Sequence, residues 1–323
     1  MIRLPLDKYF PDVSRLSYGC MGLGGEWHGE DINDNDVRLA HQVVDTLLDV
    51  GINHIDHADI YRTGKAEKVF GRVLAERPEL REKLILQSKC GIRFGDEQGP
   101  NRYDFSEQWI IQSVDNILQR LQTEYLDTLM LHRPDPLMAT EEVVRAFEQL
   151  SSQGKVRYFG VSNMSGQQME FLQRHLPEPL IANQLEMSLT NLGWVEDGIL
   201  VANPEGSNIN FPSGTIEYCQ THGIQLQAWG SMSQGLFSGR NLDGQPDHIH
   251  QTAAKVAHYA GLYQVSREAI VLAFLTRHPA QIQPVIGTVN SDRIRACADV
   301  ERVTLSREHW YDLLFAARGK HVP

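Results

Sequence analysis

Short apolar or β-branched runs alternate with helically spaced apolar positions along almost the whole chain. Val37, Ala40, Val43, Val44, Leu47 and Leu48 line one helix face, and Gly51 follows as a stop. Ser106 stands where it can cap a helix carrying Ile110, Val114, Ile117, Leu118 and Leu121 on one side. Thr140 opens a helix with Val143, Val144, Phe147 and Leu150 facing inward, and Ser165 with Gln168 has capping-box spacing. Further helices are predicted at 65–77, 215–221, 250–259, 266–277, 292–299 and 306–317. Strands are predicted at 16–22, 53–57, 84–89, 126–131, 156–161, 180–185, 224–229 and 284–287.

Eight strands, each followed by a helix, imply a parallel sheet. Eight such units in a chain of 323 residues predict an α/β fold closed into a (β/α)8 TIM barrel, with 1–323 as a single domain. One stretch leaves the cycle. Residues 191–213 are rich in Asn, Gly and Pro and read as an inserted loop after the sixth strand.

The charge balance narrows the partners. Thirty Lys and Arg against 41 Asp and Glu give a net charge of −11, which argues against nonspecific nucleic-acid or anionic-membrane binding. No apolar run is long enough to span a bilayer, and the N-terminal residues lack the apolar core of a signal peptide. Cys20, Cys90, Cys219 and Cys297 have no paired spacing, which fits a reducing cytoplasm. The pattern assigns no oligomeric state.

In a barrel of this kind, reactive groups gather at the C-terminal ends of the strands. Strand two ends in Asp56, with Tyr61 five residues on; strand three ends in Lys89, and strand four in His132. A phenol is a weak acid at neutral pH, and a neighbouring cation favours its ionised form. The expectation is that Lys89, held by Asp56, lowers the pKa of Tyr61. Tyr61 would then protonate a carbonyl oxygen that His132 helps to hold.

No side chain delivers hydride, so a nicotinamide cofactor is expected. Ser162, Asn163 and Gln184 lie at the ends of strands five and six as partners for its amide, and Trp229 ends strand seven as a flat partner for its ring. The segment 287–293, with Gly287, Thr288 and Arg293, has the character of a phosphate site at a helix start. Neither GxGxxG nor GxxxxGK[ST] occurs.

These residues carry a resemblance. Asn53-His54-Ile55-Asp56-His57-Ala58-Asp59-Ile60-Tyr61, Ser88-Lys89, Leu131-His132, Gly160-Val161-Ser162-Asn163 and Asn183-Gln184 resemble the ordered motif series of the aldo-keto reductases. The resemblance runs from about residue 12 to the C-terminus. It is nearest to a bacterial group with Asp-His-Ala-Asp-Ile-Tyr, Ser-Lys-Cys-Gly and Leu-His-Arg-Pro-Asp-Pro, here at 56–61, 88–91 and 131–136. It implies metal-free reduction of a small aldehyde or ketone with NADPH, NADH not being excluded. It also implies that Tyr61 is the general acid, that Gly19, Cys20 and Met21 line the nicotinamide end, and that Thr288 and Arg293 meet the adenosine 2′-phosphate.

The chain departs from that pattern in places. Gly287 stands where many members have Lys, Cys297 where they have Asn, Arg62 where they have Gly, and Trp229 where they have Tyr. The 191–213 segment has no counterpart in the pattern. Trp27 in the Gly-rich loop after strand one is read as a wall of the substrate pocket, the alternative being a loop anchor. Taken singly, Asp56 with Lys89 is an ordinary buried ion pair and His132 a turn histidine; it is their convergence that favours catalysis. A metal site on His54, His57 and His132 is disfavoured, because His57 points away from the other strand positions. The rival function is a cofactor-sensing regulatory subunit on the same scaffold, with little turnover.

Overall fold

All eight predicted strands join one closed parallel barrel in the computed structural model, which describes residues 4–323. They are β1 (Ser17–Gly19), β2 (His54–Asp56), β3 (Ile85–Cys90), β4 (Leu126–Leu131), β5 (Val156–Ser162), β6 (Ala182–Glu186), β7 (Gln225–Trp229) and β8 (Gln283–Ile286). Each strand pairs with its neighbours in sequence, and β8 returns to β1 through Ser17 and Val285. Closure leaves no open edge and sends every strand's C-terminal end to the same mouth.

The helices begin and end where local chemistry satisfies free backbone groups. Ser106 accepts from Trp109 N at the start of Glu107–Leu121, and that helix buries Ile110, Val114, Ile117, Leu118 and Leu121. Ser165 and Gln168 form both bonds of a capping box at the start of Gly166–Gln173. Gly223, at φ 65°, closes Thr215–His222 in a left-handed conformation that costs glycine little. Each fully buried aliphatic side chain on such a face stabilises the fold by about 1.5–3 kcal/mol.

Three features differ from expectation. The first strand stops at Gly19, and Cys20–Gly22 turns as a 3-10 helix. The loop after β3 contains a small antiparallel pair, Ile92–Arg93 with Arg102–Tyr103. The 191–213 segment is not all loop. It holds the helix Gly193–Ile199 and the 3-10 turn Pro204–Asn208. Trp194 is buried there, packed edge-on against Phe274 at 5.8 Å and His278 at 5.5 Å. Glu196 and Glu205 pair with Arg318 and Lys320. This segment is therefore fastened to the outer helical layer through one buried aromatic and two ion pairs. Among the described residues, no helix is long and apolar enough to cross a membrane.

Candidate active site

Parallel register sets the first contacts. Asp56 on β2 stands opposite Gln87 on β3, and Lys89 lies two residues further along the same face. Lys89 has no exposed surface. Its Nζ lies 2.7 Å from Asp56 Oδ1 and 2.8 Å from Oδ2, and donates to His57 O at 2.9 Å and to Tyr61 Oη at 3.0 Å. A buried ammonium is tolerable only when its donors are satisfied, and here the carboxylate, a carbonyl and the phenol do so.

Tyr61 is brought back over Lys89 by a strained turn. Arg62 and Thr63 adopt left-handed conformations, at φ 53° and 58°. This costs a non-glycine residue about 1–2 kcal/mol each. Arg62 is held there by donating from Nε to Met21 O at 3.0 Å, with its guanidinium 5.3 Å from the Trp27 ring centroid. So Trp27 is tied to the tyrosine turn through Arg62, at the position where the resembled pattern has glycine.

His132 follows β4, with its backbone N donating to Cys90 O at 2.9 Å. Its ring stands edge-on to Tyr61, with centroids 6.1 Å apart, and its Nδ1 is buried without a protein partner. Burial, Lys89 and Arg133 together hold the imidazole pKa well below its usual value, so the ring is neutral at pH 7. Burial pulls Lys89 down, but Asp56 and Tyr61 outweigh it and leave the ammonium pKa raised.

Tyr61 departs from expectation. Burial raises its pKa more than Lys89 lowers it, and Asp56 adds to the rise. The phenol is therefore fully protonated at neutral pH. Lys89 acts against a desolvation penalty rather than producing a net acidic tyrosine, because the same closed environment that sharpens the contact also penalises the phenolate.

The expected amide partners form a second cluster joined to the first. Asn163, at φ 57°, donates from Nδ2 to His132 O at 3.1 Å and to Ser162 Oγ at 2.9 Å. Its Oδ1 accepts from Trp229 Nε1 at 3.1 Å, which fixes the half-buried indole. Ser162 Oγ donates to Gln184 O at 2.9 Å, so its hydrogen is committed to the backbone. Gln184 donates from Nε2 to Gln227 Oε1 at 3.1 Å, and no donor among the described residues engages its Oε1.

The β1 turn needs one correction. Cys20 has no exposed surface, and burial pushes its thiol far above the usual range. It cannot meet a ligand directly and serves as packing beneath the turn. Met21, by contrast, is 51 % exposed. At Gly19 a Cβ would lie 3.0 Å from Val285 Cγ1, and at Gly22 one would lie 3.2 Å from Gly287 O. The β1 turn thus packs directly on the loop after β8.

That loop leads into the helix Ser291–Ala298, capped by Asn290, whose side chain accepts from Arg293 N at 3.0 Å. Thr288 Oγ1 accepts from Asn290 N at 3.2 Å. Gly287 is exposed, and so is the Arg293 side chain, which has no acidic partner among the described residues. An acceptor at Gln184, a flat indole, a tight glycine approach and an unpaired guanidinium at a helix start fit the parts of a nicotinamide dinucleotide phosphate.

Sequence reasoning missed Gln87, which donates to Asp56 Oδ1 at 2.6 Å, and the buried Gln227 and Gln283 beyond it. The available signal was a glutamine two residues before Lys89 on the same strand face. His54 bonds Ser17 Oγ at 2.8 Å, and His57 packs against Phe70. Among the described residues, no three His, Cys, Asp or Glu side chains are arranged to hold a metal ion.

A closed barrel with an ammonium, carboxylate, phenol and imidazole at its mouth defines a class, and comparison with known proteins agrees with it. Residues 15–313 match the Aldo/keto reductase family, and the chain belongs to that family. It is 35 % identical to the uncharacterised oxidoreductase YcsN of Bacillus subtilis, over 100 % of this chain and 99 % of the relative. It is 34 % identical to a 6-dehydroglucose reductase of Agrobacterium fabrum, over 96 % of each. An aldo-keto reductase from Klebsiella pneumoniae, solved with NADPH, shares the fold at a TM-score of 0.70. It is 23 % identical, with 93 % of this chain and 90 % of that one covered.

Proposed function

We propose that this protein reduces an aldehyde or ketone to the alcohol with NADPH, and that Tyr61 supplies the proton. The observation that carries this reading is the 3.0 Å contact from Lys89 Nζ to Tyr61 Oη, made by an ammonium that also holds Asp56. The family supports the reaction class, and the Klebsiella structure supports the choice of cofactor.

When bound, a nicotinamide cofactor supplies the hydride that no side chain can deliver. The residues of this chain do the rest. Ser162, Asn163 and Gln184 would orient the carboxamide, Trp229 would pack on the ring, and Thr288 and Arg293 would hold the phosphate end. Gly287 leaves Arg293 as the main cation there. Neutral His132 donates an N–H to the carbonyl oxygen and fixes its approach. Tyr61 transfers its hydroxyl proton to that oxygen as carbon is reduced. Lys89 stabilises the phenolate that remains, and Asp56 keeps Lys89 charged and in place.

The test is a fluorescence titration with NADPH and NADH, followed by turnover of a panel of aldehydes, ketones and 6-dehydroglucose. Saturable NADPH binding and steady consumption with at least one carbonyl are expected. Tight binding with no turnover across the panel would favour the cofactor-sensing role instead. Absence of any nicotinamide binding would end the proposal.

A further inference from the structure

Five buried glutamines lie on the barrel strands; Gln225 bonds only backbone carbonyls, and the other four are Gln87 on β3, Gln184 on β6, Gln227 on β7 and Gln283 on β8. Gln227 is the register partner of both Gln184 and Gln283, so three of them sit side by side on successive strands. Gln87 reaches them across the barrel from beside Asp56.

Their bonds have one possible polarity. The Asp56 carboxylate accepts only, so Gln87 must present its NH2 to Oδ1, at 2.6 Å. A flipped amide would set two oxygens against each other there. Gln87 and Gln227 then form a reciprocal amide pair. Gln87 Nε2 donates to Gln227 Oε1 at 2.9 Å, and Gln227 Nε2 returns a bond to Gln87 Oε1 at 3.2 Å. Gln227 Nε2 also donates to Gln283 Oε1 at 3.0 Å, and Gln283 is anchored by donating to Ser14 O at 2.8 Å. Gln227 has spent both hydrogens, so it can offer Gln184 only its oxygen. Gln184 must turn its NH2 inward, at 3.1 Å, and leave its Oε1 as the unengaged acceptor.

We infer that Gln87, Gln227 and Gln283 are positioning residues: the Asp56 carboxylate at one end and the Ser14 carbonyl at the other fix the amide of Gln227, and Gln227 fixes that of Gln184. The carboxylate that holds Lys89 is thereby one of two acceptor-only ends that make Gln184 offer an acceptor, rather than a donor, to the carboxamide. Gln87 and Gln227 are both buried, with 1 % and 0 % of their surface exposed, so they act through Gln184. The cofactor half of this inference rests on the function proposed above; the coupling between the glutamines does not.

Two measurements test it. In the protein without cofactor, Gln87→Met and Gln227→Met each strand a buried amide and should lower Tm by a few degrees. The double variant removes both partners and should be clearly more stable than the sum of the two losses. Additive losses would overturn the coupling. In the titration, Gln227→Met, which removes the acceptor that holds the Gln184 NH2, should weaken NADPH binding about tenfold, the worth of roughly one misdirected hydrogen bond. The same variant should bind 2′,5′-ADP, which lacks the carboxamide, as the wild type does. Equal losses for both ligands would mean a general structural defect and would overturn the positioning role. If wild-type protein binds 2′,5′-ADP and NADPH with no difference, the cofactor half is overturned while the stability cycle still decides the coupling. If it binds neither, the proposed function itself has failed.

Discussion

Lys89 donates to Tyr61 across 3.0 Å from a position with no solvent exposure. The phenol nevertheless keeps a raised pKa, because burial outweighs the ammonium. In the resting protein Tyr61 is thus protonated, and in the reaction proposed above Lys89 would matter most once the proton has left.

Tyr61→Phe removes the transferable proton and little else. Carbonyl turnover should fall by about 10²–10⁴-fold, the usual worth of a positioned acid. NADPH affinity should stay within about twofold, since the ring and its turn are retained. Steady-state rates and a fluorescence titration check the two halves. Wild-type turnover in the variant would remove Tyr61 from the mechanism.

Lys89→Met leaves the Asp56 carboxylate buried without its counter-charge. Breaking such a pair from one side should destabilise the protein by about 3–5 kcal/mol. Adding Asp56→Asn removes the stranded charge and should recover most of that loss while leaving turnover abolished. Urea unfolding of the single and double variants, beside their rates, separates the structural role of the pair from its chemical one.

Arg293→Ala should weaken NADPH by about tenfold or more and NADH by no more than about twofold, because only NADPH carries the 2′-phosphate. The Arg293 side chain has no acidic partner among the described residues, so little stability should be lost. Parallel titrations of both cofactors measure the difference. Equal losses would take Arg293 out of the phosphate site.

His57 gives a signature in acid. Burial, with Lys89 adding to it, lowers its pKa to about 3, and neither ring nitrogen has a partner. The folded protein therefore keeps it neutral, whereas the unfolded chain protonates it near pH 6.5. Its contribution is present above that pH and is lost as pH falls toward 3. Burial similarly lowers His54, to about 4. Between pH 7.5 and 5.0 the wild type should lose about 2 kcal/mol more than His57→Leu. Asp59 and Glu67 have pKa values raised by burial and act in the opposite sense, but they are common to both proteins. Urea unfolding at the two pH values gives the difference, and parallel losses would place His57 in a more polar setting.

The strand–helix cycle and the strand-end residues were legible because they are local. A period of two or 3.6 and a polar residue closing an apolar run are properties of neighbours in the chain. Ser106, Gln168 and Gly51 announced their helix ends for the same reason. The helix Gly193–Ile199 was hidden because its stability comes from Trp194 packing on Phe274 and His278, far along the chain. The glutamine layer was hidden likewise, since Gln87 and Gln227 are 140 residues apart and meet only across the closed barrel.

By itself the sequence determined the eight strand–helix units, their order, and which side chains end at the barrel mouth. The tertiary structure decided what those side chains experience. It made Cys20 inaccessible, put Arg62 into a left-handed turn against Trp27, and raised rather than lowered the pKa of Tyr61. Periodicity is encoded residue by residue, whereas desolvation and hydrogen-bond polarity depend on everything that surrounds a group once the barrel has closed.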